Sequence, residues 1–306
     1  MESKIVGRFA PSPSGYLHLG NLLSMLLAWL DCRALGGELI FRMEDLDPAR
    51  SRAAFAEAMG EDLRWLGLDW DRGWPEPDYA QSRRTARYEA AFRRLEELEL
   101  VYPCWCSRAE RLAAASAPQP GEAWHEPGCP CSRLSRAERA QRLLSGRATA
   151  WKLRSPRETL AVTDGHYGLY TQGAGENGDF IVRRADGVYA YQLAVSVDDL
   201  EMGVTRVVRG RDLLSSAPRQ KWLIETLGGE APSYCHGPLI VSGGGKLSKR
   251  LGSLSTRELR KELSPEELVG RLAFLCGLID REEPVSPREL LSVFSWDRVA
   301  REDIPI

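Results

Sequence analysis

Four cysteines stand in two Cys-x-Cys pairs, Cys104 with Cys106 and Cys129 with Cys131, and His125 lies just ahead of the second pair. Soft thiolates and an imidazole suit tetrahedral zinc, and two short ligand pairs joined by a loop are how small structural sites are built. Five side chains compete for four places. Cys104, Cys106 and Cys129 are firm, while His125 and Cys131 contend for the last. In a reducing compartment such bunching points to a metal before a disulfide.

A second set of residues suits a phosphorylated ligand. In GRFAPSPSGYLHLGN (residues 7–21), Gly15 and Gly20 let backbone approach a ligand, and His18 stands as a donor where a helix begins. Far along the chain, PLIVSGGGKLSKRLGSLS sets three glycines before Lys246, Ser248, Lys249 and Arg250. Cations on a flexible loop add little to packing but can reach a polyanion, and a triphosphate is the obvious one. Between these ends, Glu44 falls at the end of a strand-like segment, and Tyr191 and Arg209 lie in half-buried surroundings. A buried arginine needs an anion, met either by an internal ion pair with Asp198 or Asp199 or by a ligand carboxylate.

These residues need a frame. Ile5, Val6 and Phe9 predict a first strand, stopped by Pro11 and Pro13, and the apolar run from Asn21 predicts a buried helix. Glu38 to Met43 predicts a second strand. Strand, helix, strand in this order is a parallel α/β unit, in which ligands gather at the carboxyl ends of the strands. Further helices are predicted over Ser51 to Leu66, Arg83 to Leu98 and Ser132 to Gly146, and near the end over Ser264 to Leu278 and Ser286 to Val293. Strands are predicted over Ala150 to Val162 and Asp179 to Val188, with an exposed glycine-rich loop between them.

With 306 residues the chain can bury a large core. Lys and Arg number 41 against 43 Asp and Glu, so no net basic charge advertises a nucleic-acid partner. There is no apolar run of membrane-spanning length and no signal-peptide core, so a cytoplasmic protein without a membrane partner is expected.

PSPSGYLHLGN and KLSKR, taken together and in this order, resemble the HIGH and KMSKS signatures of class I aminoacyl-tRNA synthetases. His18-Leu19-Gly20-Asn21 stands as a diverged HIGH and Lys246 to Arg250 as a diverged KMSKS. GRFAPSPSG, FRMEDLDPAR and YQLAVSVDD…VVRGRDLL are similar to the glutamyl branch of that class, over residues 5–255. About 50 residues follow Arg250, too few for the anticodon-binding domain of a full glutamyl enzyme. That shortness and the cysteine cluster resemble the glutamyl-Q tRNA(Asp) synthetases, stand-alone catalytic domains that attach glutamate to queuosine in the anticodon loop of tRNA(Asp).

The resemblance implies a Rossmann-like α/β catalytic domain over residues 1–255, with a parallel sheet, helices on both faces and a zinc-binding insertion near 101–135. A short helical region would follow over 256–306. It implies glutamate binding by Arg8, Ala10, Ser12, Glu44, Tyr191 and Arg209, ATP binding by His18, Gly20, Asn21, Lys246 and Lys249, and catalysis by His18 and Lys249. The family's zinc set includes a tyrosine four residues before the last cysteine, where this chain has His125. The implied ligands are therefore Cys104, Cys106, His125 and Cys129, with Cys131 spare. Val195 departs from the asparagine of full-length glutamyl enzymes. The expected partners are ATP with Mg²⁺, L-glutamate and queuosine-bearing tRNA(Asp), and glutamate activation needs no tRNA in a chain expected to be a monomer. A truncated glutamyl-tRNA synthetase charging an acceptor end and a non-catalytic glutamate- or nucleotide-binding paralogue are the alternatives.

Overall fold

Strand β1 (Val6–Phe9) is buried along its whole length and gives way to a loop as Pro11 and Pro13 approach. In a computed structural model, which describes residues 4–106, 129–173, 178–241 and 254–306, that loop leads into helix α1 (Leu19–Ala34). The chain returns as β2 (Glu38–Phe41), parallel to β1 with Arg8 opposite Ile40. Helix α2 (Ala53–Trp65) and the short β3 (Arg72–Gly73), parallel to β2, complete one side. On the other side, β9 (Arg206–Gly210) runs against β1, held by Thr205 N–H donating to the Val6 carbonyl at 3.0 Å. Beyond it come β10 (Ser233–Gly237), parallel to β9, then β6 (Leu160–Asp164), and at the edge an antiparallel β7 (Gly168–Gln172).

Helix α1 is apolar nearly all round, which fits a helix with protein on every side. It packs on β1 and β9 and, at its back, on α8 (Pro265–Leu275), so Leu268, Val269 and Leu272 share one core with Leu23, Leu26 and Leu27. Ser264 caps α8 by accepting from Glu267 N–H at 3.2 Å, and Ser286 caps α9 (Pro287–Leu290) in the same way at 3.3 Å. Helix α7 (Thr256–Leu259), which precedes α8, begins beside the site, and β12 (Ile304–Pro305), which follows α9, pairs with β11 (Ile240–Val241).

A separate antiparallel sheet, β4 (Val101–Cys104), β5 (Ala150–Leu153) and β8 (Phe180–Arg183), carries the cysteines, with α3 (Thr85–Glu97) before it and α4 (Arg136–Leu143) over it. Helices α5 (Tyr191–Glu201) and α6 (Ala217–Thr226) connect this sheet to the main one. Two expectations are corrected here. The run Ala150 to Val162 is two strands in two sheets, because Pro156 interrupts the ladder between Leu153 and Leu160. The stretch placed in an exposed loop contains β7: Asp164 accepts the N–H groups of His166 and Tyr167 at 3.0 and 2.9 Å, and Gly168, at φ +78°, closes the turn into the new strand.

Candidate active site

The carboxyl ends of β1 and β9 and the start of α1 open on one cleft of about 760 Å³. Its walls include Arg8, Ala10, Ser12, Glu44, Tyr191 and Arg209, together with His18, Gly20 and Asn21. All nine residues expected to bind glutamate or ATP that fall in the described chain therefore converge. Lys246, Lys249 and His125 lie outside the described residues. The chain is last described before the lysines at Val241, which lines the cleft, and is described again from Leu254. Ser255 then makes an antiparallel bridge with His18, and Thr256 donates its N–H to the Leu17 carbonyl at 2.8 Å.

At the mouth, His18 is the N-cap residue of α1, with its own N–H given to Asn21 Oδ1 at 3.2 Å. Asn21 thus secures the helix start, leaving the unpaired N–H groups of the first turn to face an anion. At Gly20 a Cβ would come within 3.2 Å of His18 Cε1, so this position leaves the imidazole room. Burial holds the His18 pKa below its ordinary value, and the ring is neutral at pH 7.

The floor is a buried array of alternating charge. Arg42, fully buried on the residue after β2, donates Nη1–H to Asp199 Oδ1 at 2.6 Å and Nη2–H to Glu44 Oε1 at 3.1 Å. Arg8 Nε lies 3.5 Å from the same Asp199 oxygen, while its Nη1–H goes to the Val208 carbonyl at 3.0 Å. Burial works against the charge on Asp199, but Arg42 and Arg8 outweigh it and hold its pKa below the usual carboxylate range. Glu44 goes the other way: burial raises its pKa against the pull of Arg42 and Arg8. Burial also lowers Arg8, with Arg42 and Arg209 adding to it and Asp199 opposing. An added anion beside Arg8 and Arg209 and an added cation beside Glu44 would both relieve this floor.

Neither acid proposed as an internal partner takes a hydrogen bond from Arg209. Asp198 accepts from Arg84 Nε at 2.6 Å, Gln81 Nε2 at 2.8 Å and the Tyr88 hydroxyl at 2.9 Å, and Asp199 accepts from Arg42 Nη1. Arg209 instead donates Nε–H to His236 Nε2 at 3.0 Å and Nη2–H to the Leu213 carbonyl at 3.1 Å. Its Nη1 has no hydrogen-bond partner among the described residues, nor does Arg8 Nε. Arg8 Nε faces Asp199, so Arg209 Nη1 is the buried donor without an acceptor, on a residue of the cleft wall. Val195 is buried in α5 and does not line the cleft.

About the second sheet, the Sγ atoms of Cys104, Cys106, Cys129 and Cys131 all lie within 4.8 Å of one another. The close pairs are 3.4 Å (Cys104 to Cys129), 3.7 Å (Cys106 to Cys129) and 3.6 Å (Cys106 to Cys131). A disulfide would bring two sulfurs to about 2.05 Å, whereas zinc with bonds of about 2.3 Å in a tetrahedron sets them about 3.8 Å apart. The thiol set therefore fits such an ion. Cys131, set aside as spare from the sequence, stands inside the cluster, because the turn Pro130–Arg133 folds it back over Cys106. In the thiol form burial pushes the Cys104 pKa up to about 11, a cost that a bound cation would reverse.

Comparison with known proteins follows the same lines. Residues 4–301 match the model of the family described as tRNA synthetases class I (E and Q), catalytic domain. A glutamyl-Q tRNA(Asp) synthetase of Symbiobacterium thermophilum is 48% identical over 99% of this chain and 96% of its own length. This chain belongs to the glutamyl-Q tRNA(Asp) synthetase family. A second member, from Nitratidesulfovibrio vulgaris, is 46% identical over 95% of this chain and 92% of its own. Among solved structures, a glutamate-tRNA synthetase from Elizabethkingia anophelis superposes with a TM-score of 0.81 at 24% identity, over 99% of this chain and 68% of that one, which establishes the shared fold.

Within this family member, four residues of the site had no part in the expected set. Arg42, Asp199, His236 and Asp164 are all buried and reach the cleft only through Arg8, Glu44 or Arg209. The sequence signal for three of them is a polar residue in a strand, Arg42 after LIF, Asp164 after LAVT and His236 after SYC, whereas Asp199 was visible in the acidic pair of α5.

Proposed function

We propose that this chain activates L-glutamate with ATP, without tRNA, and passes it to queuosine in the anticodon loop of tRNA(Asp). The observation that carries this is the meeting of Arg8, Glu44 and Arg209, the last with a buried donor that has no acceptor among the described residues, with the α1 N-terminus on the wall of one cleft. Arg8 and Arg209 pair with the carboxylates of glutamate, Glu44 takes its ammonium, and Ala10, Ser12 and Tyr191 shape the wall. The triphosphate lies at His18, Gly20 and Asn21, with Lys246 and Lys249 as its cationic partners.

A glutamate carboxylate oxygen then attacks the α-phosphorus, and the bond to the bridging oxygen of pyrophosphate breaks. His18, a neutral donor, and Lys249 stabilise the charge that develops on the phosphates. Mg²⁺ bound to ATP would neutralise phosphate charge. No side-chain nucleophile is needed, since positioning and electrostatics supply the rate. The queuosine nucleoside, as acceptor, then displaces AMP from glutamyl-adenylate. Cys104, Cys106, Cys129 and Cys131 hold one structural zinc, which cross-links the end of β4 to the turn before α4.

Two measurements test this. Pyrophosphate exchange should require both glutamate and ATP and proceed without tRNA. Labelled glutamate should then pass to tRNA(Asp) that carries queuosine and not to tRNA(Asp) that lacks it.

A further inference from the structure

Arg209 is not held by a carboxylate. Its Nε–H points at His236 Nε2, 3.0 Å away on the neighbouring strand, where the two residues stand opposite each other in the β9–β10 ladder. His236 is wholly buried, and its Nδ1 lies 2.6 Å from Asp164 Oδ2 on β6, also buried. Asp164 is itself fixed: its other oxygen accepts from the backbone N–H groups of His166, Tyr167 and His236 at 3.0, 2.9 and 3.3 Å. A guanidinium has donors only, so the ring nitrogen facing it must carry a lone pair. The imidazole proton then sits on Nδ1 and is donated to Asp164. The tautomer is dictated from both sides.

We propose that Asp164 and His236 are positioning residues for glutamate: Asp164 sets the His236 tautomer, and His236, as a neutral acceptor, aims Arg209 so that its free Nη1 meets the substrate carboxylate. With Nε given to His236 and Nη2 to the Leu213 carbonyl, the guanidinium plane is fixed and Nη1 is the donor left over. A carboxylate in the place of His236 would also accept from Nε, but it would neutralise Arg209 and weaken its pull on an anionic ligand. A neutral imidazole orients the cation and leaves its charge available. Burial, the neighbouring Arg209 and Arg8 keep His236 uncharged against the opposing pull of Asp164. The proposal rests on the assignment of Arg209 to glutamate.

Three variants test it in the full chain, read by glutamate-dependent pyrophosphate exchange. Asp164→Asn keeps the shape and the oxygen that receives the backbone N–H groups, but its amide N–H faces His236 Nδ1 and drives the proton to Nε2, against Arg209. His236→Asn keeps a donor for Asp164 and loses the acceptor for Arg209, whereas His236→Gln restores an acceptor near the Nε2 position. Asp164→Asn and His236→Asn should each raise the glutamate KM roughly 10- to 100-fold, with the ATP KM and kcat within about threefold of the parent, and His236→Gln should recover most of the loss. A glutamate KM unmoved in Asp164→Asn, or an equal rise in the glutamate and ATP KM values, overturns the relay. Absence of exchange in the parent chain contradicts the proposed function instead, so the two failures are distinguishable.

Discussion

Ser255 pairs with His18 in an antiparallel bridge, so the chain beyond the lysine motif is fastened to the residue that begins α1. Thr256 reinforces this by giving both its N–H and its hydroxyl to the Leu17 carbonyl, at 2.8 and 3.0 Å. With Val241 on the cleft wall, the described residues on both sides of Lys246 and Lys249 are anchored at the cleft that the start of α1 borders. His18→Ala and Lys249→Ala should therefore each lower the exchange rate by roughly 10²- to 10³-fold, the cost of one charge-stabilising group in a preorganised site. Unfolding midpoints should be unchanged. An exchange rate within about threefold of the parent in both variants would sink the assigned roles.

Glu44 supplies a pH dependence. Its pKa is raised by burial, so as pH falls it takes up a proton above the range of an ordinary glutamate. Protonation removes the acceptor for the substrate ammonium, so the glutamate KM should climb on the acid side from a higher pH than about 4.5. Glu44→Gln should raise the KM roughly tenfold at neutral pH and flatten that climb. The check is the glutamate KM across about pH 5 to 7.5 for both proteins; parallel profiles would remove Glu44 from the ammonium site.

Asp198 holds the floor together. It is fully buried and receives Arg84, Gln81 and the Tyr88 hydroxyl. Asp198→Ala takes the acceptor from Arg84 Nε, Gln81 Nε2 and the Tyr88 hydroxyl, though Arg84 keeps Glu201 at 2.8 Å, and should cost about 2–4 kcal/mol in urea unfolding. A loss below about 1 kcal/mol would mean that water reaches this network.

How much of this was legible in the residues depends on how local the signal was. Prolines and apolar runs marked β1, α1 and β2 to within two residues, because those boundaries are set by the local chain. The fate of Ala150 to Val162 was not local. Nothing in ATAWKLRSPRETLAV says that its two ends join different sheets, and the choice is made by β4 on one side and β10 on the other. In the site, Glu44 and Arg209 were visible as charges at strand ends and Arg8 came with the family resemblance, whereas His236 and Asp164 become meaningful only once β6, β9 and β10 are neighbours. Cys131 was visible as a contender for the fourth metal place but ranked below His125 on a spacing shared with a family motif, and only the fold of one turn brings it to 3.6 Å from Cys106.

The metal site carries its own prediction. Purified protein should contain about one zinc per chain, and Cys131→Ser should release it as readily as Cys104→Ser does, measured by metal analysis after gel filtration. Full zinc retention in Cys131→Ser would return the fourth place to another ligand.

Gly270 tests the packing of the C-terminal helices on α1. A Cβ there would lie 1.9 Å from the Glu283 carbonyl oxygen, which belongs to backbone and cannot swing away. Gly270→Ala should cost about 2–4 kcal/mol in urea unfolding. A neutral substitution would mean that the segment near Glu283 packs less closely than described.

The central claim is the acceptor, and one measurement addresses it directly: transfer of labelled glutamate to tRNA(Asp) prepared with and without queuosine, using parent protein and ATP. Label is expected on the queuosine-bearing RNA alone, released by removal of the anticodon loop and not by removal of the terminal adenosine. Equal labelling of both RNAs, or label on the terminal adenosine, would contradict it.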